Sequence, residues 1–308
     1  MERGNFMSKI ERFDMQRRVV SHMVTTSWQN IPHVSYLYEP DITTFYHEYK
    51  ELTKERKKEG PQISFNTIML HVIVEGLKSA PQLNAAISYH HKKVEGSLKI
   101  QDDINISIPW LLPDGRMITP VLLKAQTKTL NELSDAISEL GEKIQNTNID
   151  ELLYRAAQDD TLAAIKRCQL GVLRRIIAAQ ISIHRVKGLT GKEKSEYYKI
   201  PEDKRLTARN LLSGTVTVSN IGSLYKDQKG SFGLLEIIPP QVFVIGLGAV
   251  QEKPGVYIDD KGEKTIGIRK VLPMCLAFDH RAVDFSAIVP FLKTTDQIFL
   301  KPCRIRNW

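Results

Sequence analysis

The sequence predicts an α/β fold, and three observations carry that reading. Leu130, Leu133, Ile137, Leu140 and Ile144 recur at steps of three and four, the apolar stripe of an amphipathic helix. Short apolar runs at 104–110, 214–219, 242–247 and 271–278 have the length and composition of strands. Helical and strand-like stretches alternate over most of the chain, as they do where helices cover a sheet.

The elements follow in order. Val19, Met23 and Ser27 share one helical face, so 15–28 reads as a helix that Pro32 ends. Residues 34–40 read as a strand, after which Asp41 or Thr43 caps a helix reaching about residue 58. Residues 64–79 read as a helix stopped before Pro81, and 85–89 and 97–100 as strands flanking a solvated turn at His90-His91-Lys92-Lys93. Polar and apolar residues alternate over 104–110, which predicts a half-buried strand. Pro113-Asp114-Gly115 signals a turn, 117–123 a further strand, and 129–144 the amphipathic helix. Beyond 214–219 and 242–247 come strands at 256–258 and 264–269, the run 271–278, and a closing helix over 286–300.

The stretch from about 147 to 211 differs. Between Asp150 and Arg209 it holds thirteen Lys/Arg against eight Asp/Glu, a balance of +5 out of the chain's net +8. Within it, 170–186 is apolar with interleaved arginines. Two readings stay open: a solvated helical excursion, or a surface for an anionic carrier or membrane.

Length and composition suit one large domain or two small ones: 308 residues, 42% hydrophobic and 25% charged. No apolar run reaches the ~18–20 residues of a membrane span, and the opening Met1-Glu2-Arg3-Gly4-Asn5 lacks the apolar core of a secretory signal. Cys168, Cys275 and Cys303 are scattered, with no metal-ligand or disulfide spacing, which points to a reducing cytoplasm and no metal. The positive charge favours anionic partners such as a phosphorylated cofactor or an acidic carrier protein. No nucleic-acid-binding signature is present, so nucleic acid is not expected.

The candidate chemistry sits where the run 271–278 ends, at Asp279-His280-Arg281-Ala282-Val283-Asp284. A histidine at a strand end is suited to general-base work, because its ordinary pKa lies near neutrality. A lone histidine among charges more often serves structure. This stretch resembles the signature Asp-His-Arg-x-x-Asp-Gly of the dihydrolipoyl acyltransferase catalytic domain, in the chloramphenicol acetyltransferase-like superfamily, with Phe285 in the glycine position. Other blocks are similar to the same family in the same order: Arg17-Arg18-Val19-Val20-Ser21-His22-Met23 with Ile31-Pro32-His33; Asp103 to Ile108; Pro113-Asp114-Gly115 with Pro120-Val121; Thr217-Val218-Ser219-Asn220-Ile221-Gly222; and Pro239-Pro240-Gln241 with Ile245-Gly246-Leu247-Gly248.

The resemblance implies a two-layer α/β sandwich with a mixed sheet, assembled as a trimer. It implies one acyltransferase catalytic domain over 1–308, with a basic helical insertion at about 147–211. No lipoyl or subunit-binding domain is expected in this chain. His280 is implied to be the base, the Ser219 hydroxyl the oxyanion donor across a trimer interface, and Asp284 a structural partner of Arg17 or Arg18. Asn220 and Gly222 follow Ser219 and are candidates either for cofactor contact or for turn geometry. The implied reaction moves an acyl group between coenzyme A and a thiol, on a lipoyl group supplied in trans or on a carrier protein. Two other readings stay open: transfer to a small amine or alcohol, and an inactive trimeric scaffold. Phenylalanine resists the backbone angles that glycine permits, so Phe285 means either a reshaped turn or an altered site. The cationic 301–308 is unlike the apolar tail that bridges trimers in cage-forming relatives, which favours a free trimer.

Overall fold

The computed structural model describes residues 10–13, 15–56, 63–155 and 188–308, with the side chains of Met15 and Gln16 left out of the description. The apolar run 170–186, Cys168 and most of the predicted insertion lie outside the described residues.

Helix α1 (Met15–Asn30) leads into β1 (His33–Tyr38), followed by α2 (Thr43–Arg56) and α3 (Phe65–Ser79). Asp41 acts at the helix start as the sequence suggests, and Ser64 caps the next helix. The Asp41 carboxylate accepts from the Thr43 amide at 2.9 Å, and Ser64 Oγ accepts from the Thr67 amide at 3.0 Å. The hairpin β2 (Ala85–His90) and β3 (Glu95–Ile100) turns at residues 91–94. Helix α4 (Leu130–Gln145) starts at a reciprocal cap between Thr129 and Glu132.

Prolines cut three predicted strands. The run 104–110 becomes β4 (Ile106–Ser107) and β5 (Trp110–Leu111), separated by Pro109. The run 117–123 becomes β6 (Met117–Ile118) and β7 (Val121–Leu122), separated by Pro120. Neither proline has an amide to donate to a ladder. Strand β4 is also buried on both faces rather than one, because Ser107 packs inward as Ile106 and Ile108 do. Short helices α5 (Gly191–Tyr197) and α6 (Arg209–Leu212) precede β8 (Val216–Asn220) and β9 (Phe243–Leu247). Strands β10 (Gln251–Ile258) and β11 (Lys264–Val271) form a separate hairpin. Val271 ends β11, and after Pro273 comes β12 (Met274–Asp279). Helix α7 (Phe285–Leu300) follows.

The main sheet has six strands in the order β1-β12-β9-β8-β4-β7. β4, β8 and β9 run parallel, and the remaining pairings are antiparallel, so the sheet is mixed. One face carries Val216, Val218, Phe243, Ile245, Leu276 and Phe278 into the core shared with α3 and α7. The opposite face is covered at Val244 and Ala277 by Ile31, Leu234, Leu235 and Ile237.

Two buried polar groups tie distant segments. The carboxylate of Glu151, 1% exposed, accepts from the Leu189 amide at 2.7 Å and the Tyr198 hydroxyl at 2.6 Å. Burial raises its pKa, but those bonds and one from Arg155 outweigh burial and leave it below the usual carboxyl range. His71 of α3 is buried against the Trp308 indole, with ring centroids 4.3 Å apart. The segment 302–308 therefore lies back on its own chain. Ile305 is fully buried, and Arg306 pairs with Glu48 and Glu55 of α2. No described helix is long and apolar enough to cross a membrane.

Candidate active site

Strand β12 is buried along its whole length and ends at Asp279, so the chain emerges at His280. The turn there is built tightly. The His280 amide donates to the Pro32 carbonyl at 3.1 Å, and the amides of Ala282 and Val283 donate back to the Asp279 carbonyl. Asp279 is fully buried, yet its carboxylate is satisfied. It accepts from the Arg281 amide at 2.9 Å and from Arg281 Nη2 at 2.6 Å. That bonding raises the Arg281 pKa further, and the guanidinium also lies over the Tyr89 ring. The aspartate–arginine pair of this motif is thus Asp279 with Arg281, a contact that the sequence spacing alone does not reveal.

Asp284 occupies the N-cap position of α7, but its side chain makes no capping bond. Its carboxylate lies instead 3.3 Å from His280 Nδ1. Among the described residues its charged neighbour is therefore His280.

Phe285 is the first residue of α7, and its φ is not positive, so the backbone there makes no demand for glycine. Its ring meets Tyr36 edge-on at 5.1 Å and remains 43% exposed. The turn accommodates the phenylalanine with ordinary helical geometry.

Ser219 lies near the end of β8. Alternation sends Val216 and Val218 into the core and turns Thr217 and Ser219 to the opposite face. The neighbouring residues are anchored. Thr217 Oγ1 donates to Gln241 Oε1 at 2.7 Å, and Gln241 Nε2 donates to the Gly214 carbonyl at 3.2 Å. A Cβ on Gly214 would stand 1.8 Å from Ser107 Oγ, so a larger residue there would have to displace that hydroxyl. Asn220 and Gly222 serve the turn. The Asn220 amide is engaged at both ends, by Asn66 and by the Ser223 main chain. Gly222 is buried against Gly248, whose carbonyl would lie 2.4 Å from an added Cβ. Asn66 lies outside every motif that the sequence singles out.

Ser219 and His280 of one chain do not meet. Ser219 is level with Gly246 on β9, whereas Asp279 bonds Val242, which puts His280 level with Gln241. Five residues along the strands and two strand spacings across them separate the pair, roughly 15–20 Å. The Ser219 hydroxyl has no hydrogen-bond partner among the described residues, and neither has Nε2 of His280. Among those residues no cluster of three or more His, Cys, Asp or Glu could hold a metal ion.

Comparison with known proteins agrees with this architecture. The profile of the 2-oxoacid dehydrogenases acyltransferase (catalytic domain) matches residues 7–152 and 191–305, leaving out most of the basic stretch. The dihydrolipoyllysine-residue acetyltransferase component of the pyruvate dehydrogenase complex from Staphylococcus aureus is 24% identical over 281 residues, 91% of this chain and 49% of that protein. The chain thus spans about half the length of the relatives it matches. A probable dihydrolipoamide acetyltransferase from Listeria monocytogenes has a similar fold, with a TM-score of 0.62 at 20% identity, covering 96% of this chain and 95% of that one. The cubic core of a pyruvate dehydrogenase multienzyme complex gives a TM-score of 0.64 at 19% identity, covering 98% and 96%. From the profile match over most of its length, this chain belongs to the 2-oxoacid dehydrogenases acyltransferase (catalytic domain) family.

Proposed function

We propose that this protein transfers an acyl group between coenzyme A and a thiol acceptor, a lipoyl group supplied in trans or a carrier-protein thiol. The observation that carries the reading is the pair of reactive groups left unbonded at opposite ends of one sheet, Ser219 Oγ and His280 Nε2. Each lacks a hydrogen-bond partner among the described residues, and each is what acyl transfer needs. The working site is then formed between copies, His280 from one and Ser219 from the next, in a homotrimer. The tail over 302–308 is engaged with its own α2 and α3, which favours a free trimer. The setting proposed is cytoplasmic.

In the reaction, Nε2 of His280 takes the proton of the incoming thiol, and the thiolate attacks the thioester carbonyl carbon. Negative charge develops on the carbonyl oxygen, where the Ser219 hydroxyl donates a hydrogen bond. The intermediate collapses with loss of the other thiolate, which recovers the proton from His280. Basic residues of this positively charged chain would hold the coenzyme A phosphates.

The test is acyl-coenzyme A turnover with dihydrolipoamide and with a panel of amines. Thiol release that requires dihydrolipoamide and vanishes in His280→Ala supports the reading. Release with amines alone favours a biosynthetic acceptor. A folded trimer inactive with every pair overturns the reading in favour of a scaffold.

A further inference from the structure

We propose that Asn66 is a positioning residue for the oxyanion donor: through Asn220 it ties the strand end that presents Ser219 to helix α3. This inference rests on the role given to Ser219 above.

The Ser219 hydroxyl has no hydrogen-bond partner among the described residues, so its place is set by the backbone on either side. On the upstream side, β8 is fixed by its ladders to β4 and β9. On the downstream side the chain leaves the sheet at once, into the short turn 221–223. That turn is closed by main chain and side chain together. Asn220 Oδ1 accepts from the Ser223 amide at 3.1 Å, and Ser223 Oγ donates to the Asn220 carbonyl at 2.7 Å. Gln228 steadies the far side by accepting from the Ala249 amide at 2.9 Å.

These bonds hold the turn to itself and to the loop after β9. The bond that reaches the helical layer is different: Asn220 Nδ2 donates to Asn66 Oδ1 at 2.9 Å, across 154 positions of sequence. Asn66 is the second residue of α3, whose cap is already supplied by Ser64, so its amide is not needed there. Ten of the fifteen residues of α3 are buried, which makes it a firm anchor. The link therefore joins a rigid helix to the residue next to the donor. An oxyanion donor works only within about 2.7–3.1 Å of the developing charge, and small displacements weaken it steeply.

Asn66→Ala is expected to lower kcat by about tenfold, a fraction of the ~10²–10³ for losing a donor outright. KM for acyl-coenzyme A should stay within about twofold, since coenzyme A binding is not what the link serves. In a Ser219→Ala background the same substitution should cost nothing further, because the donor it positions is gone. Thermal unfolding and trimer size are read on every variant. Asn66→Asp keeps the acceptor oxygen and should recover most of the loss, which separates positioning from a folding defect. An unchanged kcat in Asn66→Ala overturns the proposal, as does a loss that persists in full beside Ser219→Ala. If Ser219→Ala itself leaves kcat untouched, the failure lies with the role of Ser219 rather than with Asn66.

Discussion

The carboxylate of Asp284 lies 3.3 Å from Nδ1 of His280; in the single chain the imidazole is half exposed and the carboxylate mostly exposed. An exposed pair of this kind is worth at most about 1 kcal/mol, or roughly fivefold in a rate that depends on it. Asp284→Asn should therefore lower kcat no more than about fivefold, while His280→Ala should lose at least the ~10²–10⁴ that a general base supplies. Steady-state kinetics on the two variants checks the ranking. Equal losses would mean that Asp284 does far more than face the imidazole.

Phe285 supports the turn without straining it. Phe285→Gly removes an aromatic contact with Tyr36 worth about 0.5–1.5 kcal/mol and places glycine in the first turn of a helix, where its flexibility costs up to ~1 kcal/mol. The expected outcome is a lower melting temperature with transfer activity retained. A gain in stability would contradict the ordinary helical backbone at that position.

His71 makes stability depend on pH. Burial beside the Trp308 indole pushes its pKa down; Glu75 opposes that shift and Lys78 adds to it. A depressed pKa means that the unfolded chain binds more protons below about pH 6.5. Stability from this group is therefore complete above about pH 6.5 and is lost as pH falls toward the folded value. His71→Phe keeps an apolar ring against Trp308 and should flatten that part of the profile, measured as melting temperature from pH 7.5 down to about 5.

Glu151 is the other polar anchor. Glu151→Ala leaves the Leu189 amide and the Tyr198 hydroxyl without their acceptor, at a cost of about 1–3 kcal/mol each if they stay dry. Glu151→Gln keeps an acceptor oxygen and should cost less. Urea unfolding of both variants checks this order, and a neutral Glu151→Ala would show that water replaces the carboxylate.

Much of this was legible in the sequence, and the remainder failed for identifiable reasons. The stripe from Leu130 to Ile144 gave α4 almost to the residue, and the apolar run before Asp279 gave the strand that delivers His280. Hydropathy read through Pro109, Pro120 and Pro273, which lack the amide a ladder needs, so single runs stood for two elements each. The approach of Asp284 to His280 was not read, because a motif fixes spacing along the chain and not which side chains face each other. Asn66 and Glu151 were invisible as well. A polar residue at a helix start or in a charged stretch looks solvated until the fold brings its partner, Asn220 or Leu189.

The central claim is that Ser219 and His280 act together only between copies, since one chain holds them roughly 15–20 Å apart. The most direct test mixes two inactive variants, Ser219→Ala and His280→Ala, by co-expression. Random trimers of the two would place an intact histidine opposite an intact serine in about one interface in four, because a head-to-tail interface draws one group from each neighbour. Transfer activity restored to about a quarter of wild type is the predicted result. Mixed trimers that assemble and stay inactive would contradict it.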